Sequence, residues 1–289
     1  MEFPRRRFPP TKPGFPLRAL IGFLFPHRWK GQFAQATRLL ASEAPSGDGL
    51  GARLDEWLAS PGWEVRNAAV KLIAHVRDEA RAPRLLEKLA DRSEAGIVRR
   101  NAAAALARLR LDGPAVRSAL LSALADPYWE VRSEAAAALA DLFPPAEDLE
   151  GALLHLLYGP RRNGRGRIRE GNFEVCMACA RGLGHLGLGR EAYDALGLLA
   201  ADDSWLVRSQ AAVALVHFAA RLPDYLPDAR ERVRAVDRLS EGAVSYFTHR
   251  EVLSQALRAV HKNPQGPGPE EIRALYLNPK AGWNHVRRP

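Results

Sequence analysis

Five arginines stand within nine residues, Arg161, Arg162, Arg165, Arg167 and Arg169, interleaved with asparagine and glycine after Tyr158-Gly159-Pro160. A guanidinium group binds phosphate or carboxylate through paired N–H donors, and a Gly/Arg segment follows an anionic backbone while staying solvated. Arg5, Arg6 and Arg7 form a second cluster, inside a stretch (residues 1–16) whose five prolines rule out a regular helix. Both clusters suit an anionic partner: a nucleic acid, an acidic protein patch or an anionic membrane surface. The net charge of +9 is distributed accordingly, with +6 in residues 1–30, +4 in 158–170 and +2 in 263–289, which leaves −3 for the rest of the chain.

Chemistry that needs a reactive side chain finds less support. Cys176 and Cys179 make a C-x-x-C, but no second pair or nearby histidine accompanies it, and redox or metal chemistry wants one. The eight histidines are scattered, with neither an H-E-x-x-H nor an i,i+4 pair. There is no Gly-x-Ser-x-Gly elbow and no Gly-Lys-Ser/Thr phosphate loop. No catalytic residue, metal ligand or cofactor is therefore assigned. Two cysteines in this length argue against a disulfide framework and for a reducing, cytoplasmic setting. No apolar run reaches the roughly 18–20 residues that span a membrane.

Other chemistry-bearing residues recur in rows. Trp63, Trp129 and Trp205 each stand two places before a valine, with Phe173 in the same place and Gly96 breaking the row. Arg66, Arg99, Arg132 and Arg208 each follow that valine directly. The valines are Val65, Val98, Val131, Val175 and Val207, separated by 33, 33, 44 and 32 residues. A period in this range means stacked structural repeats, and the long gap marks an insertion at 158–170. Alanines follow each valine at helical spacing (Ala102 to Ala105, Ala135 to Ala138), which predicts a helix that neighbours can approach closely. Ser60, Asp126 and Asp202 precede these helices and are read as their N-caps. The tryptophans are read as packing residues between adjacent turns. The arginines, with Asp126 and Asp202, are read as an inter-repeat hydrogen-bonding ladder reaching the preceding turns. Cys179 falls where other copies have alanine and is read as a small core residue.

The pattern Asp-x-x-x-x-Val-Arg-x-x-Ala-Ala-x-Ala-Leu at Asp126–Leu139 and Asp202–Leu215 resembles the HEAT repeat, in the short bacterial form also found in phycobilisome-lyase-like proteins. Ser60/Arg66 and Ser93/Arg99 keep its arginine only, and Glu170/Cys176 departs at the arginine. The resemblance spans about residues 31–262 and implies an all-α solenoid of six to seven helical pairs, placed near 51–77, 82–109, 114–142, 146–186, 189–220 and 226–262. A degenerate pair at Leu17–Phe25 and Gln32–Ser42 precedes them. A basic N-terminal arm (1–30) and a Pro/Gly linker with a short helix and basic tail (263–289) flank the array. The function expected of such an array is a non-enzymatic scaffold that binds a protein on its concave surface, aided by its basic appendages. Nucleic-acid binding through the arginine loop and arm is the alternative. HEAT-like DNA glycosylases share the architecture, but none of their site residues transfers to this chain. A bilin-lyase role is implied by the repeat subtype alone. Oligomeric state is left open.

Overall fold

The computed structural model describes residues 49–159 and 168–240. Eleven α-helices fill them, with no strand among the described residues. They run as pairs: α1 Gly49–Leu58 with α2 Trp63–Val76, α3 Ala82–Ala90 with α4 Gly96–Arg108, and α5 Pro114–Ala123 with α6 Trp129–Leu142. Then come α7 Glu147–Tyr158 with α8 Phe173–Leu186, α9 Arg190–Leu199 with α10 Trp205–Arg221, and finally α11 Leu226–Ser240. The pairs lie within a few residues of the placements expected from the repeat. The first degenerate pair, the second helix of the sixth pair, the N-terminal arm with Arg5, Arg6 and Arg7, and the C-terminal tail lie outside the described residues.

Local chemistry sets the helix ends. Pro114 opens α5, where its missing N–H costs nothing. Arg77 and Arg110 close α2 and α4 at equivalent positions with φ of 58° and 59°. The following N–H groups return to Ile73 O at 3.1 Å and Leu106 O at 3.2 Å, so each helix ends in a tight left-handed turn. The expected N-caps prove otherwise. The helices begin three residues after Ser60, Asp126 and Asp202, and their capping residues are Gly62, Tyr128 and Ser204. Ser60 Oγ, Asp126 Oδ1 and Asp202 Oδ1 instead accept from the N–H of those capping residues, at 3.3, 2.9 and 2.8 Å. They close the turn ahead of the helix rather than the helix itself.

The core runs unbroken along the array between the two layers of helices. Second helices contribute small residues (Ala69, Ala102, Ala136, Cys179, Ala212) and first helices leucines (Leu85, Leu120, Leu153, Leu196), all fully buried. The second helices α2, α4, α6, α8 and α10 each pack closely on the next. The first helices touch their neighbours far more sparsely. Small side chains explain the close approach: a Cβ added to Gly184 of α8 would stand 2.8 Å from Ala214 Cα of α10. An array packed tightly on one side and loosely on the other bends toward the tight side, so the second helices line the inner face.

Candidate binding groove on the second-helix face

One arginine per repeat ties each turn to the next. Arg66 donates through Nη1 to Ser60 O (2.7 Å) and Pro61 O (2.9 Å) of its own turn. Its Nε and Nη2 fork onto Glu94 of the following repeat at 2.6 and 2.5 Å. Arg99 binds Glu94 O and forks onto Asp126, with both bonds at 2.8 Å. Arg132 binds Asp126 O and Pro127 O, at 3.0 and 3.2 Å, and Glu170 Oε2 at 3.0 Å. Arg208 binds Asp202 O and Asp203 O, at 2.8 and 2.9 Å, and its buried Nε has no hydrogen-bond partner among the described residues. The carboxylate partners thus sit in the following turn, not the preceding one. Burial alone would raise the carboxyls of Asp126 and Glu94, but Arg99 and Arg66 outweigh it and hold both below the ordinary range.

Cys176 stands where this ladder expects an arginine. Its Sγ lies 3.4 Å from Glu170 O, and burial with the nearby Asp202 and Glu170 carboxylates pushes the thiol up to about 12. Cys179 is fully buried, and desolvation raises its thiol well above the ordinary range. Neither thiol is a nucleophile at neutral pH. No cluster of three metal-ligating side chains occurs among the described residues.

The inner face carries a polar row of its own. Asn101 Nδ2 donates to Asn67 Oδ1 across α4 and α2 at 2.6 Å. Arg100 pairs with Glu134 at 3.4 Å, and Arg181 with Asp141. Burial raises the Glu134 carboxyl, with Arg100 opposing. Burial, helped by the Arg100 charge, lowers Lys71 to about 8. His185 and His217 stack with ring centroids 5.1 Å apart, and His217 Nδ1 lies 2.7 Å from Gly184 O. Burial lowers both imidazoles, His217 to about 4. Arg181 also borders a cleft of about 350 Å³. Ser133 and Ala137 of α6, Glu174, Met177 and Arg181 of α8, and Gln210 of α10 line it.

The aromatic row lies at the head of the same helices. Trp63 is 39% exposed and Phe173 40%, whereas Trp129 is half-buried against the core. α10 begins at Trp205. Where Gly96 breaks the row, Tyr128 lies across the gap: a Cβ on Gly96 would come within 2.6 Å of its ring. Tyr128 is 53% exposed, and the Arg99 guanidinium carbon sits 5.5 Å from its centroid. Neither Tyr128 nor Glu94 stands out in the repeat register of the sequence. The doubled aromatic Tyr128-Trp129 beside a repeat with glycine in the row was the available signal for the first. Glu94 lies one place later than the register position Ser93, which hid the second.

The insertion leaves the array between α7 and α8. Its ends are pinned together, with the N–H groups of Arg169 and Glu170 donating to Leu157 O at 2.8 and 3.1 Å. Gly159 turns the chain out at φ +73°, a conformation that favours glycine. Ile168 packs on the core and Arg169 is exposed. Arg161, Arg162, Arg165 and Arg167 lie outside the described residues.

Residues 51–140 match the family of HEAT repeats. Over these residues the chain is similar to HEAT repeats. No curated protein sequence matches it. Among solved structures, the chain is similar to an engineered protein at 22% identity and a TM-score of 0.47, over 74% of this chain and 97% of that one. It is similar to the complex of CpcE and CpcF of phycocyanin lyase from Nostoc sp. PCC7120 at 20% identity and 0.47, over 79% and 93%. Human deoxyhypusine hydroxylase in complex with glycerol follows at 16% identity and 0.33, over 91% and 94%. No described helix is long and apolar enough to cross a membrane.

Proposed function

We propose that this HEAT array is a non-enzymatic scaffold that binds a protein partner on its second-helix face. The observation that carries the reading is the cleft of about 350 Å³ shared by three successive second helices, with charged, polar and thioether side chains on one wall system. Met177 and Ala137 supply apolar contact, and Glu174, Arg181 and Gln210 supply directional groups, which is the mixture a protein interface uses. Both buried cysteines are silenced, so the features that resembled redox chemistry serve packing. The basic segments at 1–30 and 158–170 are auxiliary contacts in this reading: Arg5, Arg6, Arg7, Arg161, Arg162, Arg165, Arg167 and Arg169 add long-range attraction for an anionic region of the partner. Nucleic acid is the alternative partner for the same arginines, carried by their clustering alone.

Affinity capture from the source cell, performed with and without nuclease, tests this. The wild type is compared with a groove variant, Met177→Arg/Gln210→Arg, and with an outer variant, Leu198→Arg, at an exposed position on first helix α9. A protein retained by wild type and the outer variant, lost by the groove variant and indifferent to nuclease is the expected result. Equal capture by all three variants contradicts the reading, and loss on nuclease treatment transfers it to nucleic acid.

A further inference from the structure

Three of the five second helices open with an aromatic residue followed by glutamate: Trp63-Glu64, Trp129-Glu130 and Phe173-Glu174. Glutamate in a first turn offsets the positive end of a helix, and that alone explains an acid there. It does not explain an aromatic ring left beside it at the surface. Single exposed apolar residues are ordinary, but Trp63 and Phe173 are exposed at the same register position, and exposed Tyr128 covers the gap left at Gly96. Glu130 Oε2 is buried without a hydrogen-bond partner among the described residues, and Glu174 lines the cleft. The heads of these three helices therefore each place an aromatic ring beside a carboxylate.

We propose that this aromatic–glutamate strip docks an extended segment of the partner protein that presents arginine or lysine side chains. A cation between a ring face and a carboxylate satisfies both groups at once. The spacing sets a register. Neighbouring helices pack 8–10 Å apart and an extended chain advances about 3.3 Å per residue, so one repeat corresponds to roughly three residues. In the second repeat Ile97 stands where the others have glutamate and Tyr128 covers Gly96, so that position takes an uncharged residue. The Trp63 and Trp129 sites are then about six residues apart, and the Trp129 and Phe173 sites about three. The ligand pattern is cation, five residues, cation, two residues, cation, read in either chain direction. This inference rests on the second-helix face being the partner surface and adds the chemistry of what binds there.

The test uses the full chain and three fluorescein-labelled peptides of proline and serine. One carries arginines at positions 3, 9 and 12, one carries the same arginines consecutively, and one carries glutamates at 3, 9 and 12. Fluorescence anisotropy is expected to show the spaced peptide binding about tenfold more tightly than the clustered one, with no binding of the glutamate peptide. Glu130→Gln, Glu174→Gln and Trp63→Ala each weaken the spaced peptide about three- to fivefold, the range of a partly exposed ion pair or cation–π contact, with circular dichroism unchanged. Equal affinity for spaced and clustered arginines reduces the strip to general charge attraction and overturns the proposal, as does indifference to all three substitutions. Capture that maps to this face together with a spaced peptide that fails to bind would leave the partner surface standing and refute only the chemistry assigned to it.

Discussion

Arg99 and Asp126 form the most enclosed ion pair among the described residues, with side-chain exposures of 2% and 1%. Breaking a buried pair leaves an uncompensated charge, whereas trimming an exposed one changes little. The ladder therefore predicts graded costs. Arg99→Met destabilises by about 3–5 kcal/mol. Arg66→Met costs less, because Lys88 remains 3.3 Å from Glu94. Arg208→Met costs least, because its Nε already lacks a hydrogen-bond partner. Denaturant unfolding of the three variants checks the order, and equal losses would contradict it. The same groups set the response to acid. Asp126 and Glu94 are held below their unfolded values, so the stability they add is complete above about pH 4 and is lost as pH falls through the lower folded values. His217 acts earlier. Its folded value is lowered to about 4, so from about pH 6.5 downward the unfolded chain takes up the proton first and stability declines. His217→Asn, which keeps a donor toward Gly184 O, is expected to flatten that upper limb. An unfolding midpoint independent of pH between 7 and 5 in the wild type would refute the assignment.

At the scale of elements, close packing of second helices is the physical core of the fold, and two glycines test it in opposite directions. Gly151 lies inside α7 with nothing within 4 Å of an added Cβ, so Gly151→Ala is expected to stabilise by about 0.5–1 kcal/mol through helix propensity. Gly184 meets Ala214 backbone at 2.8 Å, so Gly184→Ala is expected to destabilise by about 1–3 kcal/mol despite the same propensity gain. Thermal unfolding of both variants decides; the same sign for both would contradict close packing of α8 on α10. These elements were legible in the sequence because a fixed period, alanine runs and prolines at turns all point to the same helices. The turn chemistry was less legible. A short polar residue ahead of a helix looks like a cap, but in the fold Asp126 closes its turn and receives Arg99 from the repeat before. Glu94 escaped notice because a one-residue shift in the turn moved the acid out of register while its longer side chain still reached Arg66. The tryptophans were read as packing residues, yet Trp63 remains exposed, since position along a helix does not reveal how far the next repeat covers its first turn.

At the scale of the molecule, the array presents one continuous inner face and an arginine-rich insertion pinned at its base by Leu157 O. Periodicity made the architecture visible, but the groove arises from side chains that three repeats bring together from positions more than 70 residues apart, Ser133 to Gln210. No local motif announces such a site. The most direct measurement of the central claim is hydrogen–deuterium exchange on the full chain, alone and with its captured partner. Slowed exchange in the first three turns of α6 and α8 and the first two of α10, with α5, α7 and α9 unchanged, is the predicted result. Protection confined to the first helices, or to residues 1–30 and 160–167 alone, would contradict it.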